Sequence, residues 1–210
     1  MESVKGVKLL DVDPGEATNR TVVTFVGEPD DVVEAAFRAV GKAGQLIDMR
    51  QHHGAHPRIG ATDVLPIVPV SGITLEECAE ISRKLAKRIA DELNIPCYCY
   101  EAAAFTPERQ NLAVCRKGEY EGIAERIDDH DAMLRLPISA DVRSTSRLHV
   151  QVAPLSEHVT SSLPLTSTLT PLLHVAPMPS HSTLERRDVQ CVRAILSQAR
   201  SSSMLTAHLS

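Results

Sequence analysis

Thirteen consecutive residues, Gln51 to Asp63, carry three imidazoles (His52, His53, His56), the Arg58 guanidinium and the Asp63 carboxylate. Gly54 and Gly60 allow close backbone approach in the same stretch. Pro57 biases His56 away from helical backbone, so its ring is displayed from extended chain. Three readings fit these residue types. One is a solvated polar loop. A second is a metal site using His52 and His56 with Asp48 or Asp63 as a further ligand, although Gly54 and Pro57 oppose the helix that would bring the two rings together. The third is acid/base chemistry on an anionic substrate, with a neutral imidazole moving the proton and Arg58 gripping a carboxylate.

Elements on either side must position this loop. Lys8 to Asp13 and Thr21 to Val26 are apolar runs joined by turn-forming residues, which predicts a hairpin. A helix is expected from Pro29 and Asp30 to about Gly44, with Val33, Ala36, Phe37, Val40 and Ala43 on its apolar side. Val64 to Val70 is a strand candidate whose Pro66 and Pro69 restrict it to an edge, a bulge or pairing through other donors. Thr74 and Glu77 form a capping-box pattern ahead of the stripe Cys78, Ile81, Leu85, Ile89 and Leu93. A short strand follows at Cys97 to Glu101, and a helix is expected from Pro107 to about Lys117. The class is α/β (α+β), a two-layer sandwich in which a mixed sheet carries its helices on one face.

Composition divides the chain. Of its 210 residues, 22 are Lys or Arg and 27 Asp or Glu, giving a formal charge of −5. That balance disfavours a nucleic-acid partner, since phosphate binding draws on excess cationic charge. No apolar run approaches the roughly 18 residues of a spanning helix, so no membrane association is expected. All ten glycines and all six aromatics precede Gly122 or stand at it, whereas the residues from Asp128 hold 14 Ser, 7 Thr and 6 Pro. The expected organisation is a folded domain at 1–127 and a mostly disordered tail at 128–210. Within the tail, Ser182 and Glu185 with Val189, Val192, Ile195, Leu196 and Ala199 predict a helix at 183–200. Five cysteines without a repeated spacing suit a reducing, cytoplasmic compartment, and Cys97 and Cys99 are expected in the core.

The stretches Leu46-Ile47-Asp48-Met49, His52, Gly54 and His56-Pro57-Arg58-Ile59-Gly60-Ala61 resemble the signature of the formimidoyltransferase family, as do Asp63-Val64 beyond them. Leu9 to Asp13, Thr18 to Thr21, Thr24 to Gly27, Glu76-Glu77-Cys78 and Arg116 to Glu121 extend the likeness over about residues 7 to 127. The resemblance implies transfer of a formimidoyl group from formimidoylglutamate to tetrahydrofolate as co-substrate, a step of one-carbon metabolism and histidine degradation. It implies that His56 is the acid/base residue and that no metal is required. It also implies substrate contacts from Asp13, Arg58, Asn19, Arg20, His52 and Gly60. Asp13 before Pro14-Gly15 reads equally as a turn initiator. His53 and Ala55 depart from the family pattern, and where Ala55 stands the bifunctional members carry an acidic residue. The resemblance further implies that the family's opening strand is absent, leaving a sheet edge exposed. One subdomain supplies one wall of the folate pocket, so a second copy or a partner subunit is expected to complete it. Two functions follow: transfer with His56 as acid/base, or a catalytically inactive subdomain remnant acting in folate binding or protein interaction.

Overall fold

The structure is a computed structural model that describes residues 3–123, 150–154 and 189–197, the last two stretches by their backbone. The expected hairpin is β1 (Val7–Gly15) and β2 (Arg20–Gly27), antiparallel, with Leu9 opposite Phe25 and a bulge before Asp11. Pro29 sits in the first turn of α1 (Pro29–Leu46), where a missing N–H costs nothing, and Asp30 and Asp31 favour the positive end of the helix dipole. Its buried side is built of small residues, Ala35, Ala36, Ala39, Ala43 and Gly44, flanked by Val32 and Val40. The capping box forms as expected at the head of α2 (Leu75–Leu93), and Asn94 ends that helix in left-handed backbone.

A single mixed sheet runs in the order β1-β2-β6-β3-β5-β4, with helices on one face. Here β3 is Thr62–Ser71, β4 is Cys97–Cys99, β5 is Val150–Pro154 and β6 is Val189–Ser197. Strand β6 lies antiparallel to both β2 and β3, while β5 lies parallel to β3 and β4. The core between sheet and helices holds Val23 and Phe25 of β2, Leu65 and Ile67 of β3, and Cys78, Leu85 and Ile89 of α2. Cys97 and Cys99 are buried there too, and burial pushes the Cys99 thiol up to about 12, so it packs as a neutral side chain.

Two expectations are corrected. The tail does not form a helix over 189–197 but a strand inside the sheet. Val189, Val192 and Ile195 are β-branched and suit either period, and ladder pairing on both sides decides for the strand. Strand β6 thus covers β2 on the side away from β1, and β3 is interior, taking the bulge that its prolines allowed, with irregularities at Thr62/Val64 and Pro69/Ser71. Finally, the helix expected from Pro107 breaks into a 3-10 turn at Pro107–Gln110 and one α-turn, α3 (Leu112–Cys115), capped by Asn111. The rest of the tail, including 183–188 and 198–200, lies outside the described residues.

Candidate functional site

The loop leaves α1 through Asp48, whose carboxylate accepts from Arg50 N at 3.0 Å and starts a 3-10 turn at Met49–Gln51. Met49 is buried beneath that turn, and the chain then crosses towards the β1–β2 hairpin. There the turn ends on Asn19, whose φ of 49° is a left-handed conformation that asparagine tolerates. Asn19 Nδ2 donates to His53 O at 2.6 Å, and His52 Nε2 meets Asn19 O at 2.7 Å. Ala55 N donates to Ala17 O at 3.3 Å. A glycine is required between these bonds, because a Cβ on Gly54 would lie 2.4 Å from Thr18 O. His52 is buried and its ring is held as a donor to Asn19 O, so burial keeps it neutral and pushes its pKa below the usual imidazole value.

His56 is half-buried, with Nδ1 2.7 Å from Pro57 O. A carbonyl accepts only, so Nδ1 carries the proton and Nε2 keeps the lone pair. Burial pushes this pKa down as well, offset by the bond to Pro57 O; Arg20 and Arg116 oppose protonation further and Asp63 favours it. The imidazole is thus neutral near pH 7 and able to accept a proton at Nε2.

Arg58 is buried and turned inward. Nη1 donates to Glu119 Oε2 at 2.9 Å and to Glu121 Oε2 at 3.1 Å, while Nη2 donates to Glu121 Oε1 at 2.7 Å and to His52 O at 2.8 Å. Its Nε is buried without a partner among the described residues. The stretch 116–123 lies against the loop in this way, reinforced by Tyr120 N donating to Arg58 O at 3.0 Å. Asp63, with 5% of its side chain exposed, accepts from Ile59 N at 2.9 Å and pairs with Arg116. Tyr100 is buried beside Arg116 and Asp63, and burial raises its pKa.

Of the residues named from sequence, His52, Asn19, Arg20, His56 and Arg58 are brought to one place, and Gly60 is buried just behind. Asp13 stands exposed on β1 opposite Val22 and is not among the charges acting most on His56. Sequence reasoning gave no site role to Arg116, Glu119, Glu121 or Tyr100. The signal for Arg116, Glu119 and Glu121 was the match of Arg116 to Glu121 to the family pattern, and Tyr100 had none. Among the described residues no group of three or more His, Cys, Asp or Glu is gathered as metal ligands, and no helix is long and apolar enough to cross a membrane.

The histidine loop is thus pinned to a hairpin of a mixed sheet that carries its helices on one face, an α/β subdomain. Residues 1–146 match the formiminotransferase domain, N-terminal subdomain, and the chain belongs to that family. It is 53% identical over 122 residues to pig formimidoyltransferase-cyclodeaminase, covering 58% of this chain and 23% of that one. It is 51% identical over 130 residues to the glutamate formimidoyltransferase of Streptococcus pyogenes serotype M1, covering 62% and 44%. The corresponding Thermoplasma acidophilum enzyme is 43% identical over 129 residues, covering 60% and 43%. The chain thus spans less than half the length of these relatives.

Proposed function

We propose that this chain is a binding subdomain of the formimidoyltransferase type, whose His56 loop contacts a folate-class ligand without completing group transfer by itself. The observation that carries this reading is the closure of Arg58. The guanidinium has five N–H donors. Both terminal nitrogens are committed to Glu119, Glu121 and the His52 carbonyl, and Nε is buried. The one N–H left without a partner among the described residues, on Nε, is buried, so Arg58 presents no open fork to the carboxylate of formimidoylglutamate. The residues present therefore fit a tetrahydrofolate wall with one polar contact at His56 Nε2, rather than a full grip on the donor substrate. A second copy or a partner subunit supplying the opposite wall agrees with this reading.

The runner-up is transfer itself, favoured by His56. Its Nδ1 is anchored on Pro57 O, its ring is neutral and its Nε2 keeps the lone pair. In that reading His56 takes up at Nε2 the proton lost by the acceptor nitrogen as it attacks the formimidoyl carbon, and gives that proton to the glutamate nitrogen as the bond between that carbon and glutamate breaks. Asp63 would stabilise the imidazolium, while Arg20 and Arg116 would favour its giving up the proton to the leaving nitrogen.

The two readings separate in one experiment. Tetrahydrofolate binding to the purified chain is measured calorimetrically, alongside formimidoyl transfer from formimidoylglutamate. Binding without turnover is expected, with His56→Ala weakening binding by about three- to tenfold, the worth of one hydrogen bond. Turnover that disappears in His56→Ala would replace the binding reading by the catalytic one. Absence of both binding and turnover would defeat both, leaving protein interaction.

A further inference from the structure

Strand β6 lies outside the family match, which ends at residue 146, and yet it sits in the middle of the sheet that carries the family's histidine loop. We propose that Val189–Ser197 is the positioning strand of the His56 site, and that its seating between β2 and β3 sets the spacing on which the site depends. The register gives the reason. Ser197 lies opposite Arg20, and Leu196 lies opposite both Thr21 and Thr62. The end of β6 is thus flanked by the first residues of β2 and β3, the two strands that emerge from the halves of the site.

Those halves come from opposite sides of β6. From the β2 side come the turn ending at Asn19, which receives His52 and His53, and Arg20, whose charge acts on His56. From the β3 side comes the loop itself, with Asp63 at its end holding Ile59 N and Arg116. With β6 in place, β2 and β3 stand two strand spacings apart, roughly 9.5 Å. Without it the gap would close by one spacing of roughly 4.8 Å, or open freely. The bonds bridging the two halves measure 2.6 and 2.7 Å and survive only a few tenths of an ångström of such movement. Both β2 and β3 are also buried along much of their length, at Thr21 to Val23 and Thr62 to Ile67, as strands paired on both sides are.

As regulation of the proposed ligand site the inference rests on that reading, but its test reads the histidine and the backbone, so it stands or fails without any ligand. Full-length Ile195→Pro removes a ladder donor at the site end of β6, opposite Val22 and Val64. Full-length Gln190→Pro removes one at the far end, opposite Gly27 and Pro69. Hydrogen exchange and the NMR titration of His56, assigned by its loss in His56→Asn, are followed in each. Arg20, Arg116 and Asp63 are the charges that face this ring. Expected for Ile195→Pro are exchange at Ala55 N faster by at least about tenfold and a His56 midpoint moved up as the ring is hydrated. Gln190→Pro should leave both close to wild type. Equal disturbance by the two variants, or none by Ile195→Pro, overturns the proposal. Should Ile195→Pro not fold, the wild-type chain decides: protection of the β6 amides comparable to that of β2 and β3 supports it, and exchange at unstructured rates overturns it.

Discussion

The head of α2 is fastened by residues three apart in the chain, whereas the His56 loop is tied to the hairpin and to 116–123 by residues more than thirty apart. At α2, Glu77 N donates to Thr74 Oγ1 at 3.2 Å and Thr74 N donates to Glu77 Oε2 at 2.8 Å. In the loop, His52 reaches 33 residues to Asn19, and Arg58 reaches 61 and 63 residues to Glu119 and Glu121. A local cap forms wherever its four residues go. The loop acquires its shape only after the hairpin and the stretch 116–123 have arrived, so its stability belongs to the whole fold. Damage to the loop should therefore spread, while damage to the cap should stay where it is made.

The largest effect is expected at Asp63. Its carboxylate holds Ile59 N and the Arg116 guanidinium from a buried position. Asp63→Ala leaves Arg116, whose side chain is 15% exposed, without its carboxylate. Removing one partner of a buried pair costs about 3–5 kcal/mol. Urea denaturation checks this, and a loss below about 1 kcal/mol would mean that the pair is screened like a surface bridge. Gly54→Ala comes next. Its Cβ would meet the backbone of Thr18 at 2.4 Å, and backbone does not swing aside as a side chain does. A cost of about 1–3 kcal/mol is expected from the overpacking, together with shifted Asn19 and His52 amide resonances. An unshifted spectrum would separate the loop from the hairpin and break the contrast with α2.

A pH dependence confined to the loop sharpens the comparison further. Burial places the His52 and His56 pKa values below the unfolded value of about 6.5. In that interval the unfolded chain binds more protons than the folded one, so stability rises with pH. The contribution is complete above about pH 6.5 and is lost as pH falls through the lowered folded values. The slope cannot exceed about 1.4 kcal/mol per pH unit for each whole proton. His52→Gln should flatten it, and a denaturation midpoint constant between pH 7 and 5.5 would contradict the burial argument. Glu121 adds a separate loss at more acid pH, since Arg58 holds its carboxyl below the usual range.

The same contrast explains what could be read from the chain. The hairpin, α1 and the capped α2 are written in short-range periods and end signals, and they form as those signals predict. The histidine loop stood out because its residue types are dense and its motif is family-like, and the resemblance alone pointed to Asn19 and Arg20, which lie beside it. The partners of Arg58 were not. Glu119 and Glu121 look like solvated charges in a turn, with 42% and 61% of their side chains still exposed, and only the docking of 116–123 gives them a role. Strand β6 was illegible for the same reason. Its apolar spacing serves a helix as readily as a strand, and the choice is made by β2 and β3, more than a hundred residues earlier.

The smallest expected effect tests the local side of the comparison. Thr74→Ala removes the hydroxyl that accepts from Glu77 N but leaves Glu77 able to accept from the Thr74 backbone, so half of the box survives. Loss of a cap hydroxyl costs about 1 kcal/mol. The change should be read as faster exchange in the first turn of α2, with the Asn19, His52 and Ala55 amides unmoved. Thr74 shares no hydrogen-bond partner with Gly54, so the Thr74→Ala/Gly54→Ala double variant should lose the sum of the two single losses to within about 0.5 kcal/mol. A larger coupling would mean that the start of α2 and the histidine loop answer to one another. The division between a locally held helix and a globally held site would then not describe this molecule.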